Sequence, residues 1–122
     1  MIKTLLEKTM LTIYHNPRCS KSRETLKLIE DASQPVEIIQ YLKTPLSKNE
    51  IVQLISLLSI SPIEMMRTKE AEFKAQNLAG ADEQTLINAM VNTPKLIERP
   101  IVTSGKSAII GRPPENVLSL WQ

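Results

Sequence analysis

Residues 11–42 read LTIYHNPRCSKSRETLKLIEDASQPVEIIQYL, and the hydrophobic period changes twice within them. LTIYH (Leu11 to His15) is a short β-branched and aromatic run closed by Asn16-Pro17, which reads as a strand entering a loop. From Ser20 the period becomes helical: Ser22, Leu26 and Ile29 fall on one face, with Leu28 and Ala32 beside it. Asp31 to Pro35 interrupts that helix, and Val36 to Leu42 forms a second strand-like run. Strand, helix and strand at this spacing predict a βαβ unit with a parallel pair.

Beyond residue 42 the chain turns helical. Ser47-Lys-Asn-Glu50 has the capping-box pattern ahead of Ile51, Val52, Leu54, Ile55 and Leu58,. Ser61-Pro62-Ile63-Glu64 repeats it, with proline at the first helical position, where its missing N–H costs nothing. This second helix is expected to carry Met65, Met66, Ala71 and Phe73 and to fade by Leu78. Asp82 opens a third, with Leu86, Ile87, Met90 and Val91 buried, and Pro94 ends it. IVTSGKSAII (Ile101 to Ile110) reads as a hairpin around Ser104-Gly105-Lys106, and Pro113-Pro114 starts a last helix with Val117, Leu118 and Trp121 apolar. The expected order is therefore β-α-β, a helical block, then β-β-α.

Composition narrows the function. A chain of 122 residues is large enough for one core without disulfides or metals. Aromatic residues are only 3%, so the core is aliphatic and the stacking platform of a nucleic-acid binder is lacking. A net charge of +2 is too small to imply a polyanion partner, although a local basic pocket remains open. The single cysteine cannot form an internal disulfide, which points to the reducing cytosol. One cysteine and one histidine make a poor metal ligand set. MIKTLLEKTM is too short and too charged for a signal peptide or a membrane span. Met10 offers a second start, so residues 1–9 are expected to be a loosely attached extension and residues 10–122 a single domain.

The only cysteine and the only histidine lie together in HNPRCSKSR, His15 to Arg23. A thiol is nucleophilic as its thiolate, and a free cysteine with a pKa of about 8.5 is mostly protonated at neutral pH. Cys19 precedes a helix, whose first-turn N–H groups favour an anion. Arg18, Lys21 and Arg23 bring positive charge, and Ser20 and Ser22 offer hydroxyls. A lone cysteine in such a turn is most often an inert buried residue, but these polar and basic flanks reverse that preference. For His15, an imidazole that tunes the thiolate competes evenly with one satisfied by a backbone partner. A two-thiol C-x-x-C motif would need cysteine where Ser22 stands, so any disulfide forms with an external thiol. A C-x5-R phosphatase would need arginine where Thr25 stands. Arg67, Arg99 and Arg112 stand beside prolines or at element ends, and Pro100 is a candidate cis-proline.

These residues together resemble the glutaredoxin-dependent arsenate reductase (ArsC-like) family. The resemblance rests on H-x-x-x-C-x-x-S-R, the Met66-Arg67 pair in the helical block, the Arg99-Pro-Ile-Val strand entry and the Gly111-Arg-Pro-Pro-Glu helix start. It extends from Met10 to Trp121. Ser20 and Lys21 stand where the best-known members have glycine and a small residue, and the longer C-terminal tail that some members carry is lacking, so the chain resembles the short branch of the family.

The resemblance implies an α/β, thioredoxin-like fold: a four-stranded mixed sheet with a helical insertion after the first βαβ. It implies that Cys19 is the nucleophile toward arsenate, that Arg67, Arg99 and Arg112 bind the oxyanion, and that His15 and Ser22 set the thiolate state. Glutathione is then a co-substrate and glutaredoxin a partner. No bound cofactor, nucleic acid or membrane is expected, and the protein is expected to be monomeric. Two alternatives carry weight beside it. One is a monothiol, glutathione-linked disulfide oxidoreductase; the other is a regulatory binding protein of the Spx kind. Ser22 removes the internal redox switch of the latter, though not a binding role.

Overall fold

The computed structural model describes residues 10–122; the expected N-terminal extension, residues 1–9, lies outside the described residues. The chain forms two compact units. Among the described residues the first comprises 10–40 together with Arg99–Gln122, and the second is Tyr41–Glu98.

The first unit carries the sheet. Strand β1 (Leu11–His15) is followed by helix α1 (Ser20–Asp31) and strand β2 (Val36–Gln40), and the hairpin β3 (Ile101–Thr103) and β4 (Ala108–Ile110) follows later in the chain. The strand order is β2-β1-β3-β4. β1 pairs in parallel with β2 and antiparallel with β3, and β3 pairs antiparallel with β4. This is the mixed, thioredoxin-like sheet that the resemblance implied. β2 stops two residues earlier than the apolar run suggests. Its ladder runs from Leu11 opposite Val36 to His15 opposite Gln40, and Asn16-Pro17 takes β1 out of the sheet, so residues 41 and 42 have no strand partner.

The central position of β1 buries Leu11 and Ile13 completely, with Ile29 of α1, Val102 of β3 and Val117 completing one core. Each such side chain contributes about 1.5–3 kcal/mol relative to its exposed state. Helix α1 ends where Ser33 adopts a left-handed backbone (φ 55°), and Gln34 N–H closes onto Ile29 C=O at 3.2 Å, the return bond of a helix terminus. The C-terminal segment Pro114–Leu120 is a 3-10 helix rather than the α-helix expected from its apolar spacing. It packs against α1 through Val117, Leu120 and Trp121. The peptide bonds Arg99-Pro100 and Arg112-Pro113 are both cis; the sequence had suggested only the first.

The second unit contains helices α2 (Lys48–Leu58), α3 (Ala71–Ala75) and α4 (Glu83–Asn92). The first capping box is complete: Ser47 Oγ accepts from Glu50 N–H at 3.2 Å, and Glu50 Oε1 accepts from Ser47 N–H at 2.9 Å. Asp82 caps α4 by accepting from Thr85 N–H at 2.8 Å. The helix expected from Pro62 to Leu78 is broken. Pro62–Met65 makes one 3-10 turn, Met66 is extended (φ −109°, ψ 149°) and bridges Ile97, and only α3 resumes the helix. The pairing with Ile97 is a tertiary contact that outweighs local helix preference. No helix among the described residues is long and apolar enough to cross a membrane.

Candidate active site around Cys19

The turn between β1 and α1 is built by Asn16. Its backbone C=O accepts from Cys19 N–H at 3.0 Å and its side-chain oxygen accepts from Arg18 N–H at 3.0 Å, the local bonding that suits asparagine to turns. Cys19 is thereby left as the residue before α1, with extended backbone (φ −95°, ψ 122°), and Arg23 N–H starts the helix by bonding to Cys19 C=O at 3.0 Å. The sulfur is half-buried and sits over unsatisfied first-turn N–H groups.

Partial burial raises the thiol pKa, but four effects outweigh it: the Ser22 N–H, the Arg99 charge, the Lys21 N–H and a hydrogen bond from Arg99. Together they hold Cys19 below its ordinary value. Arg112 Nη1 stands 3.9 Å from the sulfur, at the outer edge of an N–H···S contact, and also donates to Arg99 C=O at 3.4 Å. The positive charge at the thiol comes from residues distant in sequence, which corrects the expectation that the flanking basic residues provide it. Arg23 Nη1 is bonded to Pro17 C=O at 2.9 Å, Lys21 pairs with Glu24 at 3.8 Å, and Lys21 helps the sulfur through its backbone.

Ser22 and His15 form a second, buried pair. Ser22 is fully buried and His15 nearly so. Ser22 Oγ accepts from Asn16 N–H at 3.0 Å and lies 2.6 Å from His15 Nδ1. Which atom donates follows the imidazole tautomer: neutral His15 either accepts the Ser22 hydroxyl proton at Nδ1 or donates Nδ1–H to the second lone pair of Oγ,. Burial lowers the His15 pKa most, the Arg23 charge lowers it further, and Glu30 opposes both. The Ser22 hydroxyl oxygen is thus engaged by His15 and Asn16, and the Ser22 group that serves the sulfur is its N–H.

Arg67 belongs to the second unit. The extended backbone at Met66 frees it from a helix, and Arg67 N–H bonds to Leu96 C=O at 2.7 Å. Its guanidinium pairs with Glu70 at 2.8 Å, and Glu70 also meets Lys95 at 3.5 Å. Two residues of the first unit escaped sequence reasoning. Thr25 is fully buried on α1, and Gly111 lies against it. The only hint was a polar residue on the apolar face of α1.

Residues 14–120 match the model of the ArsC family. The chain is 47% identical over 112 residues to an arsenate reductase of Haemophilus influenzae, covering 88% of this chain and 96% of that one. It is 50% identical over 111 residues to YfgD of Escherichia coli K12, a protein described as uncharacterized, covering 88% and 93%. The solved arsenate reductase of Vibrio cholerae superposes with a TM-score of 0.89 at 44% identity, covering 93% of this chain and 98% of that one. A family match spanning almost all the described residues, with relatives this similar along nearly their whole length, makes this chain a member of the ArsC family.

Proposed function

We propose that this protein reduces arsenate to arsenite through the Cys19 thiolate, with glutathione and glutaredoxin as the external thiols. The observation that carries this reading is the convergence of Arg99 and Arg112 on the Cys19 sulfur, which is itself held below its ordinary pKa. A disulfide exchange needs an activated thiol but no guanidinium pair. A tetrahedral oxyanion uses both, because planar guanidinium groups donate paired hydrogen bonds to its oxygens and offset its charge. The resemblance assigns a third such role to Arg67, which stays in the proposal. The relatives named arsenate reductase support the substrate.

In this reading the thiolate attacks arsenic and an S–As bond forms while one oxygen leaves as water after protonation. The glutathione thiol replaces a second oxygen, again released as water. A glutaredoxin thiolate then attacks the glutathione sulfur. The S–As bond to glutathione breaks, its electron pair stays on arsenic, and As(V) becomes As(III) as the two external thiols become a mixed disulfide. Water displaces arsenite from Cys19 and returns its thiol. His15 and Ser22 are positioning residues here: their bond fixes the first turn of α1, whose N–H groups face the sulfur.

An NADPH-coupled assay with glutathione, glutathione reductase and glutaredoxin tests the reading. NADPH oxidation is expected to depend on arsenate and on Cys19. Turnover of glutathione mixed disulfides with none on arsenate would replace this reading with a monothiol disulfide oxidoreductase.

A further inference from the structure

The loop that carries Arg112 meets α1 and the entry to β3 at a crowded point, Gly111. Gly111 N–H donates to Pro100 C=O at 2.8 Å. A Cβ at position 111 would lie 2.5 Å from Thr25 Oγ1 and 2.8 Å from Pro100 Cγ, closer than side chains tolerate, and a tight 3.1 Å from Thr25 Cγ2,. Neither wall yields easily. Thr25 is fully buried, and its hydroxyl donates back to Lys21 C=O at 2.8 Å. Pro100 is buried at the entry to β3. Glycine is the residue type that lets backbone approach this closely.

The position of this joint gives it meaning. Thr25 sits on the helix whose first turn holds Cys19. Pro100 follows Arg99, and Gly111 precedes Arg112. Arg112 in turn reaches both Cys19 Sγ and Arg99 C=O. Asn116 Nδ2 braces the loop from the far side through Ile110 C=O at 3.2 Å and Arg112 C=O at 3.3 Å.

We infer that Gly111 and Thr25 are positioning residues for the oxyanion site: their contact sets the distance of the Arg112 guanidinium from the Cys19 sulfur. The inference rests on the proposed role of Arg112. A side chain at 111 lifts the loop from α1 and shifts the guanidinium that would hold the oxyanion, and a misplacement of about 1 Å can cost on the order of 100-fold in kcat/KM.

The test uses the full chain. Gly111→Ala is expected to lower kcat/KM for arsenate about 10- to 100-fold, mainly through KM, and to move the pH profile of Cys19 alkylation upward. The double variant Gly111→Ala/Thr25→Ala removes two of the three clashes and should recover part of both losses. If Gly111→Ala lowers Tm but leaves KM and the alkylation profile of the folded protein unchanged, the joint is only structural and the inference falls. Where Gly111→Ala fails to fold, Thr25→Val decides. It exchanges the hydroxyl facing Gly111 for a methyl and should shift both readouts in the same direction by a smaller factor; no shift overturns the inference. Arg112→Ala separates this from the parent reading. If that variant leaves KM unchanged, the oxyanion role of Arg112 fails. If it raises KM while Gly111→Ala does not, only the positioning inference fails.

Discussion

His15 Nδ1 and Ser22 Oγ lie 2.6 Å apart inside the first unit, and this short bond joins the end of the central strand to the first turn of the helix that follows Cys19. Protonation of the imidazole would place a charge in a buried site,. The pKa of His15 is held below 6.5 by burial and then by Arg23.

The pH dependence of folding follows. The unfolded chain binds a proton on His15 at a higher pH than the folded one, so stability rises with pH through this window. His15 therefore contributes stability that is complete above its unfolded pKa and is lost as pH falls through its folded value. Urea unfolding is expected to show a decline in ΔG below about pH 6.5 that His15→Gln flattens. An equal acid decline in both proteins would assign the dependence to other groups.

Ser22→Ala removes the partner of His15 Nδ1 and leaves the Asn16 N–H without its acceptor. A buried polar group left unpaired costs about 1–3 kcal/mol. The urea midpoint should fall accordingly. Serine restored at this position recovers it; threonine, with an extra methyl in a fully buried site, should recover it only in part.

The two changes of hydrophobic period made the βαβ unit legible, and Asn16-Pro17 marked where the thiol loop begins. The caps Ser47 and Asp82 were legible because they bond within three residues. Met66 was not: its backbone is extended by pairing with Ile97, a partner that local pattern cannot name. The thiol's surroundings were misread for the same reason. Lys21 and Arg23 are neighbours in sequence but turn to Glu24 and Pro17, whereas Arg99 and Arg112 arrive through the β3–β4 hairpin. Their place beside prolines marked those two, but only the family resemblance gave them a role at the thiol. Thr25 counted as a failed phosphatase position, and its burial under Gly111 depends on a contact across 86 residues.

Iodoacetamide labelling against pH should place the Cys19 midpoint below that of a free cysteine, as the Ser22 and Lys21 N–H groups and Arg99 require,. A midpoint at or above the free value would remove the activated thiolate. Cys19→Ser is close in shape but far weaker as a nucleophile at neutral pH. It should keep the fold, read by Trp121 fluorescence and far-UV circular dichroism, while arsenate-dependent NADPH oxidation disappears. Retained turnover would move the chemistry elsewhere.

Arg99 separates charge from geometry. It contributes to the thiolate both as a nearby charge and as a hydrogen-bond donor, and its backbone carbonyl receives Arg112 at 3.4 Å. Arg99→Lys keeps the charge but loses the planar fork that can hold two oxygens at once. A charge-assisted hydrogen bond contributes about 1.5–3 kcal/mol, so kcat/KM for arsenate should fall about 10- to 100-fold. Alkylation of Cys19 by neutral iodoacetamide, measured above the thiol midpoint, needs the thiolate but no oxyanion ligand and should change much less. An equal loss in both reactions would mean that Arg99 acts on the sulfur alone. The oxyanion role would then lose one of its two observed guanidinium groups, and exchange with mixed disulfides would become the better account of Cys19.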